Sequence, residues 1–317
     1  MIGSAATRTP SLGLVLPPAV PAERLWPAVE AAEEGGIGSI WVTDRTISDM
    51  PWLETMTVLG GLAARTSRVT IGTSVLAVAR RNPVLTAHAF CTAQYLSGGR
   101  VVAGIGLGGA RPAEYESAGV SLGRRGRITD EYIAVMRRLW SEGSIDHASD
   151  EYSCAGLQLC PQPETRIPIW IGGQTPASRR RAATLGDGWL PAFLPPEGYA
   201  SAWSEVCEHA SSVGREPTEI TTAVYTMAAI GRREGEAEAI LDPFMRSVFG
   251  APLEALSFAC LYGTPDRWVD TIGRFADAGA QHVLTLLVTG DLPGDVELIL
   301  DEVLPQLTGR SAGLVGV

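Results

Sequence analysis

Apolar and polar residues alternate in blocks that recur at intervals of roughly 30 residues, the rhythm of parallel βα units. Residues 12–17 form a compact apolar run ended by prolines. A helical pattern follows, with Leu25, Trp26, Val29 and Ala32 on one face and Glu23, Glu30 and Glu33 elsewhere, and Gly35-Gly36 closes it. Residues 38–43, 68–76 and 100–106 read as the next three strands. Helices separate them, over 51–65 (Trp52, Met56, Leu59, Leu62, Ala63) and from Asn82-Pro83 to Leu96-Ser-Gly-Gly. An amphipathic helix is predicted over 124–142, then a polar loop region up to Pro163. Strands are predicted again at 167–171, 188–193, 220–230 and 282–288. The helices between and after them fall at 199–213, behind Thr264-Pro265, and at about 295–307. Residues 234–261 have a helical pattern punctuated by Pro243 and Pro252, which predicts at least two helices.

Eight strands and at least eight helices predict an α/β chain folded as a (β/α)8 TIM barrel, with helical insertions after strands 4 and 7. No composition shift or linker divides the 317 residues, so a single domain with its core at about 12–307 is expected.

The fifth strand ends in Gly172-Gly173, followed by Thr175 as a helix N-cap and Pro176 as a first helical residue. Strand, glycine turn and capped helix aim free N–H groups and a positive dipole end at one spot, which suits a phosphate. An ordinary strand-to-helix turn has the same pattern. In a barrel, function sits at the C-terminal strand ends. That rule selects Asp44 and Arg45; Thr73, Ser74 and Val75; Gly106, Leu107, Gly108 and Gly109; Gly172, Gly173, Gln174 and Thr175; and the region after Trp189. It demotes His282, which opens the eighth strand, His88 and His209 within helices, and His147 in the insertion. No histidine is placed for acid–base work, and no cluster has metal-ligand spacing. Gly-x-Ser-x-Gly is absent.

Gly104-Ile-Gly-Leu-Gly-Gly109 matches the dinucleotide fingerprint in form, yet Pro112 and a polar loop stand where the helix should open. It reads as a strand end stripped of side chains for a flat ligand, or as a glycine-rich turn. Asp44 is placed to accept a hydrogen bond from a ring or hydroxyl, or to pair with Arg45 or cap a helix. Arg179, Arg180 and Arg181 lie near the glycine turn; successive helical residues diverge, so at most one or two could hold an anionic tail.

The formal net charge of -10 argues against nucleic acid or an anionic membrane as partner. Five scattered cysteines suggest neither a disulfide framework nor a zinc site. No apolar run approaches the roughly 18 residues of a membrane span. Pro10, Pro17, Pro18 and Pro21 interrupt any signal-peptide pattern, so a cytoplasmic location is expected.

An ordered set of short motifs carries a resemblance: Ser39-Ile-Trp-Val-Thr-Asp44, Gly72-Thr-Ser-Val-Leu76, Arg81-Asn-Pro83, Leu96-Ser-Gly-Gly-Arg100, Gly104-Ile-Gly-Leu-Gly108, Pro168-Ile-Trp-Ile-Gly-Gly173, Gly186-Asp-Gly-Trp189, Gly263-Thr-Pro-Asp266 and Asp277-Ala-Gly279. Together they resemble the luciferase-like flavin-dependent oxidoreductases, the bacterial luciferase family. The resemblance implies a barrel, a homodimer, and a flavin or deazaflavin ring lying across the strand ends. It places a non-proline cis peptide at Ser74-Val75 beneath the ring, the cofactor phosphate at Gly172-Gly173, and Asp44 near the ring edge. The implied cofactor is the deazaflavin F420, with FMN as the alternative. The implied activity is hydride transfer to or from a small organic substrate. The alternatives are an FMN-dependent monooxygenase fed by a separate reductase, or a non-catalytic cofactor-binding barrel.

Two departures stand out. Arg45 occupies a position where many members carry histidine, and Gly109 one where the sugar-phosphate dehydrogenase branch carries glutamate. With both missing, the expectation is reduction of a C=C or C=N bond, the proton coming from water or substrate, with Asp44 and Arg45 as the catalytic candidates. Substrate choice falls to the loops at 47–52, 107–124 and 241–262, whose apolar content predicts a partly hydrophobic pocket.

Overall fold

The computed structural model describes residues 9–312 apart from 19, 49 and 110. The stretch before Thr9, where a targeting pattern was sought, and single residues of the loops at 47–52 and 107–124 lie outside this set.

Eleven strands are described: β1 (Ser11–Val15), β2 (Ser39–Val42), β3 (Thr70–Thr73), β4 (Val101–Ile105), β5 (Ile145–Ala148), β6 (Ser153–Leu157), β7 (Ile169–Gly172), β8 (Gly188–Leu190), β9 (Thr221–Ile230), β10 (Cys260–Gly263) and β11 (His282–Leu287). Parallel pairing runs β1-β2-β3-β4-β7-β8-β9-β11 and returns to β1, so eight strands close the barrel. The helices are α1 (Ala22–Glu34), α2 (Thr55–Arg65), α3 (Pro83–Ser97), α4 (Pro112–Glu116), α5 (Arg125–Ser141), α6 (Pro176–Leu185), α7 (Pro196–Ser212), α8 (Glu236–Phe249), α9 (Leu253–Leu256), α10 (Pro265–Asp277), α11 (Leu292–Leu298) and α12 (Leu304–Ala312).

Side-chain alternation divides the buried residues into two cores. Leu14, Ile40, Ile71, Ile105, Ile171 and Val283 point outward and pack under the helices. Val15, Trp41, Val102, Trp170, Leu190 and Leu284 fill the barrel interior. Two indoles dominate that interior, Trp41 and Trp170, stacked with ring centroids 5.0 Å apart. They fit because their neighbours lack side chains. A Cβ on Gly72 would lie 2.4 Å from Trp41, and one on Gly188 2.4 Å from Trp170.

Five elements differ from the sequence expectation. The polar loop before Pro163 contains an antiparallel hairpin, β5–β6. Its residues are mostly exposed, so no apolar run marks it; Ser149 Oγ organises the turn by accepting the N–H groups of Glu151 (3.0 Å) and Tyr152 (3.1 Å). Pro243 does not break α8, because it sits on the exposed face, where the carbonyl four residues earlier can turn to solvent. Residues 260–263 are not the end of a helix but β10, which pairs with the upper part of β9 (Met227–Ile230) beyond the point where short β8 stops. The helix over 51–65 begins only at Thr55, where the Glu54 carboxylate caps the Thr57 N–H at 2.7 Å. Trp52 is thereby left in the preceding loop, its Nε1 donating to the Thr43 carbonyl at 3.0 Å. The last helix, too, is interrupted by a π-helical turn, Ile299–Val303, between α11 and α12.

The packing of β3 on β4 is testable at one atom. A Cβ on Gly104 would lie 1.7 Å from the Thr73 carbonyl oxygen, whereas one on Gly60 within α2 would meet nothing. Gly104→Ala should cost about 3 kcal/mol or more, and Gly60→Ala should be neutral or gain roughly 0.5–1 kcal/mol; denaturant unfolding of the two variants checks this. Burial pushes the Asp295 carboxyl up to about 6, with Thr289 opposing and Asp291 adding to the rise. The folded pKa lies above the unfolded one, so the stability contributed by the protonated carboxyl is complete below about pH 4, falls as pH rises from about 4 to about 6, and is absent above that. Asp295→Asn should therefore raise Tm above pH 6 and leave it unchanged below pH 4, which a Tm–pH profile reads directly.

Candidate active site

The C-terminal ends of the barrel strands open on a cavity of about 480 Å³. Its floor is made where three strand ends meet. The Ser74-Val75 peptide after β3 is cis, and the Val75 side chain fills the space that Cβ atoms on Gly106 and Gly172 would occupy, at 2.4 and 2.8 Å. Side chains are thus excluded at both glycines, and the floor is flat. Ser74 Oγ is buried there without a protein partner.

One wall is the turn into α6. Gly173 has φ 113°, a conformation that favours glycine. Thr175 Oγ1 accepts the Ser178 N–H at 3.2 Å and Pro176 begins the helix, so the remaining first-turn donors stay with the wall formed by Gly173, Gln174, Thr175 and Ser178. Trp189 Nε1 donates to the Gly173 carbonyl at 3.1 Å and fixes the turn from below. With its amide nitrogen toward the end of β8, Gln174 donates to the carbonyls of Ala192 (3.1 Å) and Phe193 (3.2 Å).

Behind the floor lies a buried ion network. Asp44 Oδ2 accepts from Arg80 at 2.6 Å and from the Ala77 N–H at 3.0 Å; Oδ1 accepts from Arg81 at 3.0 Å and from Thr55 Oγ1 at 3.2 Å. Arg80 also donates to Glu114, whose other oxygen accepts the N–H groups of Thr46 (3.3 Å) and Ile47 (3.2 Å). The side chains of Asp44, Arg80 and Glu114 are only 2%, 4% and 4% exposed. Asp44 therefore pairs with Arg80 and Arg81, not with Arg45. Both of its oxygens are occupied by these partners, which leaves its carboxylate engaged in holding the segments together.

Arg45 lines the cavity and stacks over Trp52, 5.0 Å from the ring centroid. Arg111 and Arg125 line it as well; Arg125 lies over the ring of buried Tyr115. Among the described residues, five arginines (45, 80, 81, 111, 125) stand in or behind the wall with three carboxylates (44, 54, 114). Tyr225 from β9 reaches the cavity beside the Thr43 side chain and near Arg45, and burial keeps its phenol protonated well past the ordinary range. Among the described residues, no histidine, lysine or cysteine lines the cavity, and no group of three His, Cys, Asp or Glu residues could hold a metal.

The structure brings together Asp44, Arg45, Ser74, Val75, Gly106, Leu107, Gly108, Gly172, Gly173, Gln174 and Thr175 at this cavity. Thr73 is the exception: it points away and its hydroxyl donates to the Gly104 carbonyl at 2.7 Å. None of Arg179, Arg180 and Arg181 lines the cavity; Arg179 pairs with Glu205 and Arg181 with Asp130. His282 lies at the opposite end of the barrel, against Trp170. Sequence reasoning missed Arg80, Glu114 and the aromatic side of the cavity. Tyr225 and Met227 carried a signal, since they alternate along β9 with the outward Val224 and Ala228.

Curated relatives align over nearly the whole chain. An F420-dependent glucose-6-phosphate dehydrogenase of Microbacterium testaceum (strain StLB037) is 28% identical, covering 89% of this chain and 92% of the relative. A phthiodiolone/phenolphthiodiolone dimycocerosates ketoreductase of Mycobacterium tuberculosis (strain ATCC 25618 / H37Rv) is 27% identical over 87% and 89%. In structure, the chain superposes on an F420-dependent secondary alcohol dehydrogenase solved with an F420-acetone adduct, at TM-score 0.86 and 20% identity, covering 95% of this chain and 99% of that one. A monooxygenase from Streptomyces bottropensis gives 0.81 at 21%, covering 93% and 99%. These superpositions establish the fold. The family model for luciferase-like monooxygenases matches residues 5–256, and the chain belongs to that family.

Proposed function

We propose that the protein is an F420-dependent oxidoreductase that moves a hydride between the deazaflavin coenzyme and a small organic substrate. The observation that carries this is a single cavity joining a side-chain-free floor to a helix N-terminus. A flat ring needs the first and its phosphate the second. The residues present fit the group, because buried Ser74 Oγ lacks a protein partner where the ring would lie. Gly106, Leu107 and Gly108 would face the ring, with Val75 supporting it, and Gly172 to Thr175 would hold the phosphate. When bound, the coenzyme supplies or accepts the hydride. Two curated relatives with F420 in their names support this choice of cofactor.

Asp44 is assigned a positioning role: through Arg80 and Arg81 it ties the end of β2 to the turn after β3. Arg45 remains the polar group from this pair that meets substrate. In the absence of a cavity histidine, the reading keeps reduction of a C=C or C=N bond as the reaction class. It includes a homodimer, supported by the exposed Leu85, Tyr95 and Leu96 along α3. It also includes a cytoplasmic location, supported by the lack of any described helix long and apolar enough to cross a membrane.

The monooxygenase description of the family favours FMN as the second reading. Side-by-side fluorescence titration separates them: F420 should bind at micromolar concentration or tighter and FMN more weakly. The reverse order would transfer the proposal to an FMN enzyme with a separate reductase. Removing the Asp44 carboxylate leaves Arg80 buried beside Arg81, so Asp44→Ala should lose about 3–5 kcal/mol of stability. A catalytic-only role for Asp44 would instead leave Tm unchanged.

A further inference from the structure

The cavity has a second side unlike the glycine floor. Trp52, Phe193, Phe244, Val248 and Phe249 form it, with Met227 and Leu286 deeper. Phe193 is the one non-glycine residue with positive φ among those described, at 58°. Such a conformation is strained for an aromatic residue and persists only where the surroundings enforce it. Here the Gln174 amide holds the Phe193 carbonyl, and the ring packs edge-on against Phe249 at 5.5 Å. The apolar surface continues outward, since Ile47, Leu53 and Phe249 are large hydrophobics left exposed on segments that border the cavity. Polar groups on this side converge at one place, where Tyr225 lies beside Thr43 and near Arg45.

A polyhydroxylated ligand on such a wall would bury hydroxyls without partners, which is unfavourable. An alkyl or aryl body would bury none, and one acceptor oxygen would meet the one cluster of donors. We propose that this half of the cavity is the substrate site, and that it takes a lipophilic molecule carrying a carbonyl oxygen, to which Tyr225 donates its hydroxyl hydrogen. The proposal rests on the F420 reading and names the substrate class of the same cavity: with C=C reduction as the reaction, the carbonyl is conjugated to the double bond that takes the hydride, and saturated ketones serve as its unreactive binding probes.

Calorimetric titration of the F420-saturated protein with 2-hexanone, 2-octanone and 2-decanone, and with glucose 6-phosphate, tests it. Each added methylene should tighten binding by up to about fourfold, and glucose 6-phosphate should bind more weakly than 2-decanone. Tyr225→Phe should weaken 2-decanone by about tenfold, and Phe249→Ser on the exposed rim by a few-fold, both with F420 affinity within twofold of wild type. Absence of ketone binding, affinity independent of chain length, or tighter binding of the sugar phosphate would each overturn the proposal. If F420 itself fails to bind, the cofactor reading falls. The same ketone series on the cofactor-free protein then decides the substrate site separately.

Discussion

The Asp44–Arg80–Glu114 network is the constraint on which the upper face of the barrel depends. Three segments that carry the site run on past the last backbone bonds that β2 makes to Ser74 and that Leu76 makes to Gly104 and Gly106: the end of β2, the turn after β3, and the loop into α4. They are held together by a guanidinium clamped between two carboxylates and by backbone N–H groups pointing at those carboxylates. Burial makes the arrangement all-or-none, because each charge is stable only while the others are present. The chain spends its acidic residues at this face on architecture and leaves the cavity itself with an excess of arginine.

Much of the fold was legible because barrel strands buried on both faces read as short apolar runs, and because glycine, proline and Asn82 or Thr175 caps mark the helix ends. The glycine floor of the cavity was legible for a related reason. Gly106, Gly172 and Gly173 are backbone requirements, and such requirements appear directly in sequence as residue types. What could not be read depended on contacts between distant segments. Arg80 and Glu114 are 34 positions apart, and neither carries a local pattern that announces its partner. Thr73 was assigned to the site by position in its strand, yet alternation turns it outward to Gly104. Trp52 fitted a helical period, but the carbonyl at the end of β2 claimed its indole first. The hairpin β5–β6 escaped notice because its strands face solvent, and β10 because its four residues extend an apparently helical pattern.

The motifs divide by role once their contacts are known. Gly186-Asp-Gly-Trp189 looks like part of a ligand site, but its members are supports. Asp187 accepts from Ile169 N–H and from two arginines near the N-terminal end of the barrel, while Trp189 holds the Gly173 carbonyl in the glycine turn. The tryptophan pair inside the barrel plays a comparable part. Two large rings in spaces vacated by glycine replace the usual layers of branched aliphatics, and they seal the interior below the cavity.

The pairing of β10 with β9 has an evolutionary consequence. The chain leaves the barrel at Ile230, builds α8 and α9, and comes back to lie against the same strand, with Gly263 opposite Ile230. Both ends of this excursion are therefore pinned about one strand spacing, roughly 4.8 Å, apart. Lengthening or shortening a segment closed in this way changes loop entropy only slowly, and the barrel beneath does not have to move. Phe244, Val248 and Phe249 belong to that excursion. The aromatic wall is thus a replaceable module on a fixed socket, and its sequence can drift while the glycine floor stays as it is.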